Sequence, residues 1–185
     1  VGGGSSVIIL SPKAVARVAE VKAIRRIPYS LALDEAIERA NSKAQTLNTP
    51  STINIWMFNE ACKWMLAKGG VPAMDALCRK HAQYVLDVAA KTDYFAPLIK
   101  DEAYRSYTTL TLEVTDPKIK DGDISSALKA TGLPNLADGI KKYNSVKQSS
   151  LRIACFPFVD VNGTEEYEKL MNAVDIIVKD LRSAK

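Results

Sequence analysis

The clearest pattern in the chain is a stripe of apolar residues near its end. These residues recur every three or four positions, and they are Tyr167, Leu170, Met171, Val174, Ile177, Val178 and Leu181. This spacing is typical of an amphipathic helix that buries one face. Two further stripes of the same kind, at 55–66 and 72–89, flank Gly69 and Gly70, a pair typical of a helix end. The pattern therefore predicts three long helices.

Between these helices the period changes from helical to alternating. Leu110, Leu112 and Val114 alternate with polar residues, which predicts a strand with one buried face that opens at Arg105-Ser106. A second strand is predicted at 151–156, a helix at 124–131, and a short helix from Asn135 to Lys142. Helices and strands in this order predict an α+β domain with helices on one face of a small sheet.

The first 50 residues have a different pattern. Val7–Leu10 is a continuous apolar run, which is typical of a strand covered on both faces. Ser11 and Pro12 then predict the start of a short helix, and a further helix is predicted at 33–44. Thr49 is predicted as an N-cap and Pro50 as the first residue of the helix that contains Ile53–Leu66. A strand followed by a capped helix is expected at the edge of an α/β domain.

Composition narrows the class of protein without identifying it. The chain has 185 residues, 47% hydrophobic and 25% charged, and a net charge of +4. This charge is small and evenly spread, so it does not favour nucleic acid as a partner. No apolar run reaches the roughly 20 residues of a membrane span. Three cysteines without a C-x-x-C pair indicate buried thiols in a reducing compartment, so a cytoplasmic location is expected.

A few polar residues are candidates for chemistry. Asn48 and Thr49 precede a predicted helix N-terminus, whose free amides suit a phosphate, although a capped helix alone also explains them. Arg152 lies between Leu151 and Ile153, so it projects from the opposite strand face as a surface charge or a carboxylate ligand. His81 falls on an apolar stripe, where a hydrogen-bonded core histidine is expected.

Taken together, several motifs resemble the second half of phosphoserine aminotransferases. They are Val7-Ile-Ile-Leu-Ser-Pro-Lys-Ala-Val15, Thr46-Leu-Asn-Thr-Pro-Ser51, Gly69-Gly70, Arg105-Ser106 and Ser150-Leu-Arg-Ile153, and they occur in the family's order along nearly the whole chain. The resemblance implies a pyridoxal 5'-phosphate enzyme of the type I α/β fold. It divides the chain into the tail of the large cofactor domain (1–55), a connecting helix (56–70) and an α+β small domain (71–185).

The resemblance also implies site residues and a reaction. Asn48 and Thr49 would reach the cofactor phosphate of the other subunit in a homodimer, and Arg152 would bind the substrate α-carboxylate. The reaction would transfer an amino group between glutamate and 3-phosphohydroxypyruvate in serine biosynthesis. The Schiff-base lysine of the family would lie before residue 1, so no catalytic residue is expected in this chain and the isolated chain is expected to be inactive. No metal site is expected either.

Two departures from the family keep alternatives open. The segment at 21–45 is longer and contains less glycine than in the family. Asn144 lies near the place of a family residue that binds the substrate phosphate, and Lys147 is the nearest cation. Arg105 could be a second anion ligand or a surface residue. The alternatives are a related aminotransferase, similar to alanine–glyoxylate aminotransferases, and a non-catalytic interaction domain.

Overall fold

A computed structural model describes residues 6–133, 136–139 and 148–184 of the chain. The chain forms two compact units, Val1–Trp64 and Met65–Lys185. The helices are α1 (Pro12–Ile24), α2 (Leu33–Lys43), α3 (Thr52–Ala67), α4 (Gly70–Ala89), α5 (Asp121–Ala130) and α6 (Glu165–Ser183). The strands are β1 (Phe95–Pro97), β2 (Thr109–Val114), β3 (Ala137–Gly139) and β4 (Ser150–Ala154). The expected mixed α/β class is confirmed.

The division between the two units falls inside α3, between Trp64 and Met65. It lies within the connecting helix expected at 56–70. The domain boundaries proposed from the sequence, after residues 55 and 70, stay predictions.

In the first unit, α1 and α2 form as expected. The Ser11 hydroxyl accepts a hydrogen bond from the Ala14 amide, 3.2 Å away, which caps α1 in front of Pro12. An ion pair between Lys22 of α1 and Asp34 of α2 connects the two helices. Helix α1 continues to Ile24, so it has 13 residues.

The strand predicted for Val7–Leu10 is wrong in this structure. These residues have no regular secondary structure, and the Ile9 side chain is 91% exposed. A strand requires a neighbouring strand for its backbone hydrogen bonds. No other strand occurs among the described residues of the first unit, so the apolar run cannot form one there.

Helix α3 begins later than the sequence predicts. Its first residue is Thr52, and the Ser51 carbonyl accepts a hydrogen bond from the Ile55 amide, 3.1 Å away. The N-cap position therefore belongs to Ser51, which is the stronger capping residue type, rather than to Thr49. The apolar stripe predicted for α3 is also not buried: no residue of this helix is buried, and Ile55, Phe58 and Leu66 are exposed.

The second unit contains a four-stranded antiparallel sheet in the order β1-β2-β4-β3. The alternation predicted for β2 is confirmed, because Leu110, Leu112 and Val114 are buried while the residues between them are partly exposed. Residues of α4, α5 and α6 pack with the strands in one core. The strand nevertheless begins at Thr109 rather than at Arg105-Ser106, which precede it in a loop.

The sequence did not predict the two short outer strands, β1 and β3. Strand β3 occupies Ala137–Gly139, where the sequence predicts a helix; Asn135 and Lys142, the ends of that predicted helix, lie outside the described residues. Pairing with β4 gives this segment its extended conformation, since three residues have little preference of their own. Strand β1 pairs with β2 in the same way.

The apolar stripe of α6 is confirmed. Five of its residues are buried and two are partly buried against the core. Thr164 precedes the helix at the N-cap position. The carboxylate of Asp160 accepts hydrogen bonds from the amides of Asn162 and Gly163 and thereby orders this loop.

Candidate functional site

Strand β4 presents Arg152 on the outer face of the sheet. Leu151 and Ile153 are fully buried on either side of it, while Arg152 itself is exposed. The orientation expected from the sequence is confirmed, because successive side chains in a strand point to opposite faces. Its guanidinium is carried by a central strand of the sheet, which is a rigid support for anion binding.

An open pocket of about 290 Å³ surrounds this side chain. Asp138 of β3 lies directly opposite Arg152 in the strand register, and Thr111 of β2 lies opposite it on the other side. The pocket is lined by Thr109, Leu136, Ala137, Asp138, Arg152, Ala154 and Phe156. It therefore combines a cation, a carboxylate, a hydroxyl group and an apolar wall, a composition suited to a small charged molecule.

The aromatic wall of this pocket continues beyond it. The rings of Phe156 and Phe158 stack with their centroids 5.5 Å apart, and both side chains are exposed. Sequence reasoning missed Asp138, Thr109 and Phe156 as site residues. Phe156 lies only four residues after Arg152, and this short spacing could have indicated that the two side chains are neighbours. Nothing in the sequence marks Asp138, because the pairing of β3 with β4 brings it there.

Asn48 and Thr49 lie in the first unit, in the loop between α2 and α3. Both are exposed and line an open depression formed by residues 44–50. The Thr46 hydroxyl donates a hydrogen bond to the Asn48 carbonyl, 2.5 Å away, which orders the loop. A side-chain amide and a hydroxyl exposed just before a helix N-terminus are donors that fit a phosphate such as that of pyridoxal 5'-phosphate.

A larger pocket in the same unit lies between the end of α1 and the start of α2. It has a volume of about 700 Å³ and contains Lys22, Arg25, Arg26, Asp34 and Glu35. Lys22 pairs with Asp34, and this contact raises the pKa of Lys22 and lowers that of Asp34. Three cationic and two acidic side chains share this pocket, so its charges nearly balance and favour no particular class of ligand.

Arg105 has a structural role in the second unit. Its guanidinium donates to the carbonyl of Ile99, 2.8 Å from Nε, and to the carbonyl of Lys100, 2.7 Å from a terminal nitrogen. These two bonds hold the loop that precedes β2. Of the two interpretations left open by the sequence, the contacts favour a surface residue that orders its own loop over a second anion ligand.

His81 is a core residue, as expected. It is fully buried in α4, its Nε2 lies 2.9 Å from the Asp160 carbonyl, and its ring packs on Tyr167 with centroids 4.6 Å apart. The carbonyl contact means that Nε2 carries the proton. It lines none of the pockets described above, so it is not a candidate general base.

Two of the three cysteines are buried thiols, as expected, and the third is partly exposed. Cys78 and Cys155 are buried, Cys62 is partly exposed, and all three are free. Burial raises the pKa of Cys155 to about 12, so this thiol is not a nucleophile at neutral pH. Within the described residues, no three acidic, histidine or cysteine side chains are grouped as a metal site would require. Asn144 and Lys147, the positions considered for substrate phosphate, lie outside the described residues.

Comparison with a known structure identifies the class of fold. A crystal structure of a phosphoserine aminotransferase from Cytophaga hutchinsonii matches 88% of this chain with a TM-score of 0.64, at 23% identity and over 41% of its own length. The chain thus has the fold of part of that structure. No family model matches it.

Curated relatives make the assignment more specific. A phosphoserine aminotransferase from Rhodococcus opacus is 29% identical over 180 residues, and one from Nocardioides is 31% identical over 180 residues. One from Corynebacterium glutamicum is 30% identical over 177 residues. Each alignment includes 95–97% of this chain but 45–46% of the relative. The chain is homologous to phosphoserine aminotransferases and spans about half the length of the curated relatives it matches.

Proposed function

We propose that this chain is the C-terminal part of a pyridoxal 5'-phosphate-dependent phosphoserine aminotransferase. The complete enzyme transfers an amino group between glutamate and 3-phosphohydroxypyruvate in serine biosynthesis. Sequence similarity to phosphoserine aminotransferases over 97% of the chain supports this function. Among the structural observations, the position of Arg152 in an open polar pocket on the sheet is the one that carries the proposal.

In this function Arg152 binds the α-carboxylate of the amino acid. Its planar guanidinium can donate two parallel hydrogen bonds to the two carboxylate oxygens. Because the strand holds the arginine between two fully buried residues, the bound carboxylate has a fixed position relative to the sheet. Orientation of this kind contributes to the rate by keeping the reacting atoms close.

Asn48 and Thr49 would bind the cofactor phosphate, across the interface of a homodimer. Their exposed polar side chains suit that contact, and the cofactor itself supplies the electron sink of the reaction. No helix in the described part of the chain is long and apolar enough to cross a membrane. We propose a cytoplasmic location for the complete enzyme.

The test is a set of substitutions in the full-length protein. Arg152→Ala is expected to raise the KM for glutamate about ten- to hundredfold, because a charge-assisted bidentate contact is lost. Arg152→Lys is expected to restore little, since an ammonium group does not offer the same paired donors. Cofactor affinity should stay near the wild-type value in both variants.

The double variant with Asn48→Ala and Thr49→Ala should show the opposite pattern. Its affinity for the cofactor should fall, and its KM for glutamate should change less than in Arg152→Ala. Arg17→Ala, an exposed arginine of α1, is the control and should change neither quantity. Unchanged kinetics in Arg152→Ala together with full cofactor retention in the double variant would contradict the assigned roles. Measuring activity with alanine and glyoxylate tests the related aminotransferase as the alternative.

A further inference from the structure

We infer that Asp138 shifts the selectivity of the Arg152 pocket toward a singly charged carboxylate and away from a doubly charged phosphate. The inference rests on the proposed function, in which Arg152 binds the α-carboxylate of the substrate. The observation behind it is the register of β3 and β4, which places Asp138 directly opposite Arg152, with both residues lining the same pocket.

A substrate with two anionic ends creates a problem of orientation. 3-Phosphohydroxypyruvate carries a carboxylate at one end and a phosphate at the other. A guanidinium binds both groups through the same pair of donors, and the greater charge of the phosphate favours it. An arginine alone would therefore also bind the substrate in the reversed, unproductive orientation.

A fixed carboxylate beside the arginine reduces this preference for phosphate. Side chains of directly opposed strand residues share one face and begin about 5 Å apart. If the Asp138 carboxylate lies about 6 Å from an anion bound to Arg152, repulsion between the two unit charges in water lowers the affinity for that anion about threefold. The Asp138 charge therefore weakens the binding of a carboxylate about threefold and that of a phosphate dianion about tenfold. The ratio of the two affinities shifts about threefold in favour of the carboxylate.

The surroundings of Asp138 keep its carboxylate in place. One of its oxygens, Oδ1, accepts a hydrogen bond from the Gly139 amide, 3.0 Å away. Lys129 approaches the same oxygen at 3.7 Å, but its side chain is 57% exposed, so solvent screens most of this attraction. The apolar ring of Phe156 on the pocket wall further disfavours a strongly hydrated phosphate.

The experiment measures inhibition of the full-length enzyme by two probes, inorganic phosphate and acetate, in competition with glutamate at low ionic strength. In Asp138→Asn, the inhibition constant of phosphate should fall about tenfold and that of acetate about threefold. The asparagine keeps an oxygen that can accept the hydrogen bond from Gly139, so it is suited to preserve the fold. Asp138→Glu keeps the charge and should retain the wild-type ratio of the two constants.

Two controls make the result specific. Asp75→Asn removes an exposed carboxylate of α4 that pairs with Arg79, and it should leave the ratio unchanged. Combining Asp138→Asn with Arg152→Ala should abolish the tighter phosphate binding, because the arginine is its ligand. Persistence of tight binding in that double variant would overturn the inference, since phosphate would then be bound elsewhere.

The outcomes also separate the two proposals. If Arg152→Ala leaves the KM for glutamate unchanged, the proposed role of Arg152 is wrong. If Arg152→Ala raises this KM but Asp138→Asn leaves the ratio of phosphate to acetate inhibition at its wild-type value, only the role of Asp138 is wrong.

Discussion

Gly139 lies so close to Asp121 that a β carbon on residue 139 would be 2.6 Å from the Asp121 carboxylate oxygen Oδ2. Asp121 begins α5, is buried, and accepts a hydrogen bond from the Ser149 hydroxyl at 3.0 Å. Its carboxylate is therefore not free to move away. Because glycine has no β carbon, β3, which carries Asp138, can pack against the start of α5.

Gly139→Ala is expected to destabilise the second unit by about 1–3 kcal/mol, as overpacking at a tight contact does. The measurement is the free energy of unfolding in urea. Gly122→Ala is the matched control, because a β carbon at that position in α5 would have no neighbour within 4 Å. In a helix, replacing glycine by alanine should stabilise by up to about 1 kcal/mol. Equal stability of the two variants would show that the contact does not constrain β3.

Val174→Asp is expected to unfold the second unit. Val174 is 1% exposed in the middle of the α6 stripe, and a buried unpaired carboxylate there should cost about 4 kcal/mol or more. Such a loss is a large part of the stability of an ordinary domain. The melting temperature, followed by circular dichroism, measures the effect.

Ile176→Asp is the control for that change, because it places the same charge on the same helix at a side chain that is 60% exposed. This variant should melt close to the wild-type temperature. A Val174→Asp protein that also kept the wild-type melting temperature would show that α6 is peripheral to the core.

A cluster at the end of α6 predicts a dependence of stability on pH. Arg182 Nε lies 2.8 Å from Asp116 Oδ2, and the Lys118 amide donates to Asp116 Oδ1 at 2.9 Å. The hydrogen bond from the Lys118 amide, followed by the contact with Arg182, lowers the pKa of Asp116 below its ordinary value of 3.8. The contribution of this carboxylate is therefore present above about pH 4 and is lost as the pH falls through the lower, folded-state pKa.

Asp116→Asn should accordingly be less stable than the wild type at neutral pH and equally stable once the carboxylate of the wild type is protonated. Urea unfolding at about pH 7, 5 and 3 measures the difference. Asp75→Asn, which alters an exposed ion pair within α4, should show little difference at any of these values. A constant difference between Asp116→Asn and the wild type at all three values would mean that the ionised form has no special role.

Local spacing in the sequence was sufficient for the long elements. The seven apolar residues of α6 recur at the helical period, and the alternation of Leu110, Leu112 and Val114 marks β2. The same alternation predicts that Arg152 projects away from the core, because this direction depends only on the position of a residue within its strand. The motifs around Asn48 and Arg152 were likewise sufficient for the resemblance to phosphoserine aminotransferases, which the curated relatives confirm.

Tertiary structure decided the composition of the pocket and the short elements. Three residues are too few for a period, so β1 and β3 form only because β2 and β4 offer hydrogen-bond partners. Their register then places Asp138 beside Arg152, although 14 positions separate the two residues in the chain. Conversely, the strongly apolar Val7–Leu10 forms no strand, because the described part of its unit contains no strand to pair with it. A side chain's direction is a local property of the backbone, whereas its neighbours depend on pairing between distant segments.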